Sequence, residues 1–143
     1  MSKINVVYWS MTGNTKAMAE AIADGVKSAG AEVNVCEISA ITPDELAANE
    51  VFALGCPAMG AENLEEGEVE PFVTELEGKV SGKKIALFGS YGWGDGTWMR
   101  DWVERMTGAG AEVINGEGTI CEEAPDDTTV KELNELGKKL ASL

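Results

Sequence analysis

The sequence contains no histidine. Neither a Ser-His-Asp nor a Cys-His nucleophilic arrangement can therefore be assembled, and no His-based zinc or copper site is available. Its three cysteines, Cys36, Cys56 and Cys121, are far apart, odd in number and without a Cys-x-x-Cys pair. That spacing argues against a disulfide framework, a zinc ribbon or an iron–sulfur cluster and suits thiols in a reducing compartment. Basic residues are scarce: 11 Lys and Arg face 25 Asp and Glu, for a formal charge of −14. Such a chain repels nucleic acid. No apolar run approaches the ~20 residues of a membrane span, and Met1-Ser2-Lys3-Ile4-Asn5 lacks the charged-then-apolar pattern of an export signal. The expectation is a cytoplasmic protein that touches neither membrane nor nucleic acid.

What remains is enough to fold. Hydrophobic residues make up 44% of the 143 positions, sufficient for one core, so residues 1–143 read as a single domain, expected as a monomer. Glycine is in excess, at 17 residues, against a usual ~7%. With no collagen-like period to absorb them, these glycines must serve turns or a ligand.

Hydrophobic periodicity gives the architecture. Ile4 to Trp9 is a short β-branched and aromatic run that stops at Ser10-Met11-Thr12-Gly13. From Asn14 the period becomes helical, with Met18, Ile22 and Val26 four apart and Gly30 at the end. Ala31, Val33 and Val35 alternate with polar residues, as on an edge strand; Val51–Gly55 and Ile85–Gly89 are apolar throughout, as in central strands covered on both faces. A fifth strand through Val113 and Ile114 is interrupted at 115–118 and resumes at Thr119–Cys121. Helical patterns fill the intervals at 43–48, 69–80, 98–106 and 127–140. Alternating strands and helices predict an α/β fold: a doubly wound, five-stranded parallel sheet with helices on both faces. Ligands of such sheets sit beyond the carboxyl ends of the strands, where the winding reverses.

Three loops follow strands directly and carry unusual residues. Ser10-Met11-Thr12-Gly13-Asn14-Thr15 offers three hydroxyls, an amide and the free N–H groups of a helix start, with no Lys or Arg. This composition suits a terminal phosphate held by dipoles. It lacks the lysine of a nucleoside-triphosphate loop and the glycine spacing of a dinucleotide fingerprint. Ser90-Tyr91-Gly92-Trp93-Gly94-Asp95-Gly96-Thr97 sets aromatics between glycines, where Trp93 can lie flat on a planar ligand. Trp98 and Trp102, four apart, read as core, and Trp9 reads either way. In Cys56-Pro57-Ala58-Met59-Gly60-Ala61-Glu62 the Met59 thioether can cover a ring face, Gly60 can turn its peptide over, and Glu62 can accept from a ring N–H. Taken alone, Met59 and Glu62 fit core filling or solvated surface better than a site; their position after a central strand is what favours the functional reading.

Together these loops resemble the flavodoxin family, and specifically its short-chain bacterial members of the clostridial type. Ser10–Thr15 looks like the phosphate loop, Ala58-Met59-Gly60 like the inner flavin loop and Ser90–Gly94 like the outer one; the similarity spans essentially the whole chain. The resemblance implies strand order 2-1-3-4-5, noncovalent FMN and one-electron shuttling without substrate turnover. Carried over by position, Ser10, Met11, Thr12, Gly13, Asn14 and Thr15 hold the phosphate, while Met59 and Trp93 sandwich the isoalloxazine. The Gly60 carbonyl meets protonated flavin N5, favouring the neutral semiquinone, and Glu62 binds N3; Ala58, Ala61, Ser90, Tyr91 and Gly92 complete the loops. Ala61 stands where relatives often carry an acidic residue, and Cys121-Glu122-Glu123-Ala124 is unusually acidic.

Acidic and stacked surroundings should disfavour an anionic reduced flavin and make a low-potential carrier. The run from Glu62 to Glu77 has seven carboxylates and no base, and residues 106–130 contain no Lys or Arg. The expected partners are reductases and other redox proteins with basic docking faces, met briefly and in a salt-sensitive way. A rival reading is an FMN-dependent NAD(P)H:quinone reductase on the same fold, for which no extra segment to hold a second nucleotide is evident. A phosphoacceptor receiver domain shares the strand order but needs acidic residues where Ser10 and Cys56 stand.

Overall fold

The computed structural model describes residues 3–60, 63–92 and 94–143. Its strands are β1 (Lys3–Tyr8), β2 (Glu32–Glu37), β3 (Val51–Gly55), β4 (Lys84–Tyr91), β5 (Glu112–Val113) and β6 (Thr119–Glu122). The helices are α1 (Asn14–Ser28), α2 (Pro43–Ala47), α3 (Val69–Leu76), α4 (Thr97–Gly108) and α5 (Asp127–Ala141). All strand pairs are parallel, in the order β2-β1-β3-β4-β5, with β6 also on β4. The expected sheet is the observed one.

Side-chain alternation assigns the helices to faces. Val7, Phe52, Leu54, Ile85 and Leu87 point to a core closed by α2, α3 and α4, with Leu46, Phe72, Leu76, Trp98, Trp102 and Met106. Their neighbours Val6, Tyr8, Ala53, Ala86 and Phe88 point the other way, onto Met18, Ile22 and Val26 of α1 and Leu133, Leu136 and Leu140 of α5. The buried indoles of Trp98 and Trp102 confirm their reading as core.

The interrupted strand has a specific cause. β5 and β6 lie on successive stretches of β4, and in the gap Asn115 donates through Nδ2 to the Leu87 carbonyl at 2.8 Å while its Oδ1 accepts from Leu87 N–H at 3.3 Å. One amide side chain thus satisfies both backbone groups of Leu87 where the ladder is broken. Lys139 Nζ donates to the Ile114 carbonyl at 2.8 Å, tying α5 to the same edge.

Element ends shift by a residue or two from expectation, and three departures have a clear cause. β4 runs to Tyr91, two residues past Gly89, because Ser90 and Tyr91 pair with Cys121 and Glu122 of β6. α3 ends at Leu76 and tightens into a 3-10 turn over Glu77–Lys79, where Gly78 disfavours continuation. Along β2, residues 33 to 36 are all half-buried without clean alternation, since Asn34 is drawn in by a 3.0 Å bond from its Nδ2 to Asn5 Oδ1.

Candidate functional site

The carboxyl ends of β1 and β3 are level, Tyr8 opposite Gly55, while β4 extends three residues beyond its Phe88, which pairs with Gly55. This step forms a ledge at the reversal of strand order. The segments leaving the three strands are cross-tied there. Trp9 N–H donates to the Gly55 carbonyl at 3.0 Å, Cys56 N–H to Phe88 at 3.1 Å and Ala58 N–H to Ser90 at 3.0 Å.

The first loop enters α1 through Gly13, whose φ of +96° is left-handed and favours glycine. Ser10 Oγ accepts from Gly13 N–H at 3.0 Å and rounds the turn. The first bond of α1 runs from Ala17 N–H to the Gly13 carbonyl at 3.0 Å, and no side chain caps the helix. The amides of Asn14, Thr15 and Lys16 are consequently left without intrahelical acceptors, at the positive end of a 15-residue helix dipole. Thr15 is buried, and its Oγ1 lies 3.4 Å from Ser90 Oγ and accepts from Ser90 N–H at the same distance. This contact joins the first loop to the third. Met11 and Thr12 are exposed. The first cation, Lys16, lines a separate groove with Tyr8, Glu20 and Asp24. Backbone donors and hydroxyls without a guanidinium or ammonium in the loop fit a phosphate monoester such as that of FMN.

The second loop is a small hairpin. Met59 N–H donates to Asn63 O and Asn63 N–H to Met59 O, both at 2.8 Å, and Gly60 follows Met59 with φ +53°, a Cβ there meeting nothing within 4 Å among the described residues. Met59 is half-buried. Ala61 and Glu62, named above as site residues, lie outside the described residues, as does Trp93.

The third segment requires a correction. Ser90 and Tyr91 belong to β4 and not to a loop; Ser90 is buried, and Tyr91 is half-buried against Trp98, with ring centroids 5.7 Å apart at 54°. Trp98 Nε1 in turn donates to the Cys56 carbonyl at 3.0 Å. Tyr91 therefore has a regular element and an aromatic neighbour, and the free loop begins at Gly92. The Tyr91 carbonyl accepts from Glu123 N–H at 2.9 Å, bringing the 122–125 turn to the same edge. Glu123, with φ +58°, is the one non-glycine left-handed residue among those described.

Two contributions were not legible beforehand. Glu65 accepts from Gly67, Glu68 and Val69 N–H at 2.7, 2.7 and 3.0 Å and so caps α3, whose own N-cap position makes no side-chain bond. The available signal, a carboxylate four residues ahead of the first helical residue, was hidden in the acidic run. Arg105 binds both Glu70 oxygens, at 2.8 and 2.6 Å, and also Glu77, so part of that run is neutralised from α4. Partial burial pushes the Glu65 carboxyl up, but the three N–H donors outweigh it and hold its pKa below the ordinary value. A depressed folded pKa means stabilisation present above the unfolded value and lost as pH falls through the folded one. Glu65→Gln should cost about 1–2 kcal/mol at pH 7, and the gap from wild type should shrink in urea melts as pH drops below the usual carboxylate range.

Cys56 is buried, with its thiol pushed up to about 12 by desolvation. No phosphoacceptor stands after β3, which removes the receiver-domain reading. Among the described residues no three potential ligands gather for a metal, and no helix is long and apolar enough to cross a membrane.

A parallel sheet of this order, with an uncapped helix start entered by a loop without Lys or Arg, beside a methionine hairpin and an aromatic strand end, defines a mononucleotide-binding α/β protein. The comparisons agree with that class. The flavodoxin family model matches residues 6–135. The flavodoxin of Clostridium beijerinckii is 50% identical over 140 residues, covering 98% of this chain and all of the relative. The solution structure of two-electron reduced Megasphaera elsdenii flavodoxin superposes with a TM-score of 0.88 at 48% identity, over 98% of this chain and 99% of that one. The chain belongs to the flavodoxin family, the FMN-binding electron carriers, as the resemblance in its loops implied. The rival reading is matched by more distant relatives: an NAD(P)H dehydrogenase (quinone) of Paraburkholderia phymatum, for example, is 31% identical over 112 residues, and the match covers 55% of it.

Proposed function

We propose that residues 1–143 work as a single domain in which the three segments at the ledge hold FMN, and that the loaded protein is a low-potential, monomeric cytoplasmic carrier docking on basic faces of redox partners. The observation that carries this reading is the start of α1, where uncapped amides and the Thr15–Ser90 contact set an anion site against the aromatic end of β4.

FMN supplies the one-electron chemistry when bound. Ser10, Thr12, Asn14 and Thr15, with the intervening amides of Met11 and Gly13, take its phosphate. Met59 and Trp93 cover the two faces of the ring system and exclude water, supported by Ala58, Ser90, Tyr91 and Gly92. The Gly60 carbonyl accepts from flavin N5 when that nitrogen carries a proton, since a glycine free of neighbours turns its peptide at little cost. Glu62, beside Ala61, accepts from N3–H. Carboxylates at this end, Glu65, Glu66, Glu122 and Glu123 among them, oppose negative charge arriving on the ring. Each ~1.4 kcal/mol of that penalty lowers a one-electron potential by about 59 mV.

The same carboxylates favour docking by charge. Lys3 and Lys84 begin β1 and β4 at the opposite end of the sheet, Lys83 directly precedes β4, and Lys138 and Lys139 lie in the last turn of α5. A basic partner is therefore drawn more strongly to the ledge than to the far end, where lysines and carboxylates are mixed.

The test is binding followed by transfer. Apoprotein should quench FMN fluorescence stoichiometrically at micromolar concentration and bind riboflavin, which lacks the phosphate, at least ~100-fold more weakly, equivalent to about 2.7 kcal/mol for a dianion held by several amides. Unquenched FMN overturns the reading. Electron transfer from the reduced protein to a basic c-type cytochrome should slow steeply between about 10 and 200 mM salt, as the Debye length falls from ~30 to below 10 Å. A flat dependence removes the docking face and leaves the FMN site standing.

A further inference from the structure

The loop from Gly92 to Gly96 contains three glycines, two of them left-handed, with Gly94 at φ +94° and Gly96 at +89°. Gly96 also begins α4 without any side-chain cap. A segment of this composition has a large conformational entropy to lose, yet it must present Trp93 in one place if that indole is to cover a ring. Something has to hold it.

The holding group is on α4. Arg100 Nη1 donates to the Asp95 carbonyl at 2.8 Å, Arg100 Nη2 donates to Thr97 Oγ1 at 3.0 Å, and Nη2 also stands 3.3 Å from Asp95 Oδ1. Thr97 Oγ1 closes the ring by donating to Asp95 Oδ1 at 2.6 Å. One planar guanidinium thus grips a backbone carbonyl, a hydroxyl and a carboxylate on Asp95 and Thr97, two and four residues after Trp93 in the sequence. A lysine ammonium, a single point donor, cannot span these acceptors in the same way. The Arg100 and Asp95 side chains are 53% and 76% exposed, so the pair adds little to global stability. Its geometry acts on the loop.

We propose that Arg100 is a positioning residue for flavin binding, acting through Asp95 and Thr97 to fix the 92–96 loop over the ring and not by attracting the phosphate. This rests on the FMN reading above and extends it to a residue outside the three loops. Because the loop serves the ring and not the phosphate, the two parts of the ligand separate the possibilities.

The experiment measures FMN and riboflavin dissociation constants by fluorescence quenching for wild type, R100A, R100K, T97V and the R100A/T97V double variant. R100A should weaken both ligands by the same factor, roughly 5-fold, the size of one good exposed ionic contact, with the apoprotein melting temperature moved by less than about 2 °C. T97V should reproduce much of the loss. The double variant should be no worse than R100A, since the contacts form one unit. R100K should recover less than half of it. Loss for FMN alone would assign Arg100 to the phosphate and overturn the proposal. So would an unchanged affinity for both ligands, additive single losses, or full recovery by lysine, which would leave only a charge effect. If wild type itself quenches neither ligand, the FMN reading fails, a result distinct from all of these.

Discussion

Gly137→Ala should lower the folding stability by about 3 kcal/mol or more and the melting temperature by about 10 °C, although alanine is the better helix former. α1 and α5 cross with their backbones in contact. A Cβ on Gly137 would stand 2.1 Å from the Ile22 carbonyl oxygen and 2.8 Å from Val26 N, and one on Gly25 would stand 2.0 Å from the Asn134 carbonyl oxygen. Both obstacles are helix backbone, which cannot swing aside as a side chain does. Relief requires α5 to lift from α1, opening the layer formed by Ile22, Val26, Leu133, Leu136 and Leu140 and stretching the 2.7 Å bond from Asn134 Nδ2 to the Ala21 carbonyl. Helix propensity pulls the other way by ~1 kcal/mol. The sign of the measured change therefore decides between the two effects: a chemical melt showing a stabilised G137A would mean the helices do not touch. Gly78, with nothing within 4 Å of its Cβ position, is the control, and G78A should be nearly neutral.

That contact shows where reading along the chain stops. The sheet order, the interrupted edge strand and the phosphate loop were legible because each rests on contiguous signals: apolar runs of strand length, a turn, a helical period. Gly25 could be seen beside the Met18–Ile22–Val26 face, but its partner lies on a helix more than a hundred residues later, and no local pattern says that two glycines meet. The same holds for Thr15 and Ser90, 75 residues apart, and for Arg105, which reaches Glu70 across 35. Tyr91 was misplaced for a related reason. A glycine-rich, polar stretch reads as loop, whereas Ser90 and Tyr91 stay in the strand because β6 arrives to pair with them. The acidic run illustrates the remaining limit: composition counts carboxylates, but only the fold shows which one caps α3 and which are met by arginine.

Gly89→Ala should both destabilise the protein, by about 3–5 kcal/mol, and weaken FMN binding at least ~10-fold, because it strikes the point where the core becomes the site. Gly89 lies in β4, and a Cβ there would sit 2.1 Å from the Cys56 carbonyl oxygen, 3.0 Å from its carbon and 3.2 Å from Trp98 Cζ2. To reach an ordinary contact distance the exit of β3 must move by more than an ångström. That movement pulls on two bonds at once, Cys56 N–H to the Phe88 carbonyl at 3.1 Å and Trp98 Nε1 to the Cys56 carbonyl at 3.0 Å. Each buried group left unpaired costs about 1–3 kcal/mol. The displacement also propagates along Pro57 and Ala58 to the Met59–Asn63 hairpin, and through Trp98 to the Tyr91 ring packed against it at a tilt. Gly108→Ala is the control away from the ligand loops. Gly108 ends α4, and a Cβ there would meet nothing within 4 Å among the described residues. Urea melts of the apoprotein and FMN titrations of both variants separate the outcomes: an undisturbed G89A would mean that β3 and β4 do not approach so closely. A G89A protein that is destabilised yet binds FMN at wild-type affinity would uncouple the Cys56–Trp98 junction from the ligand loops.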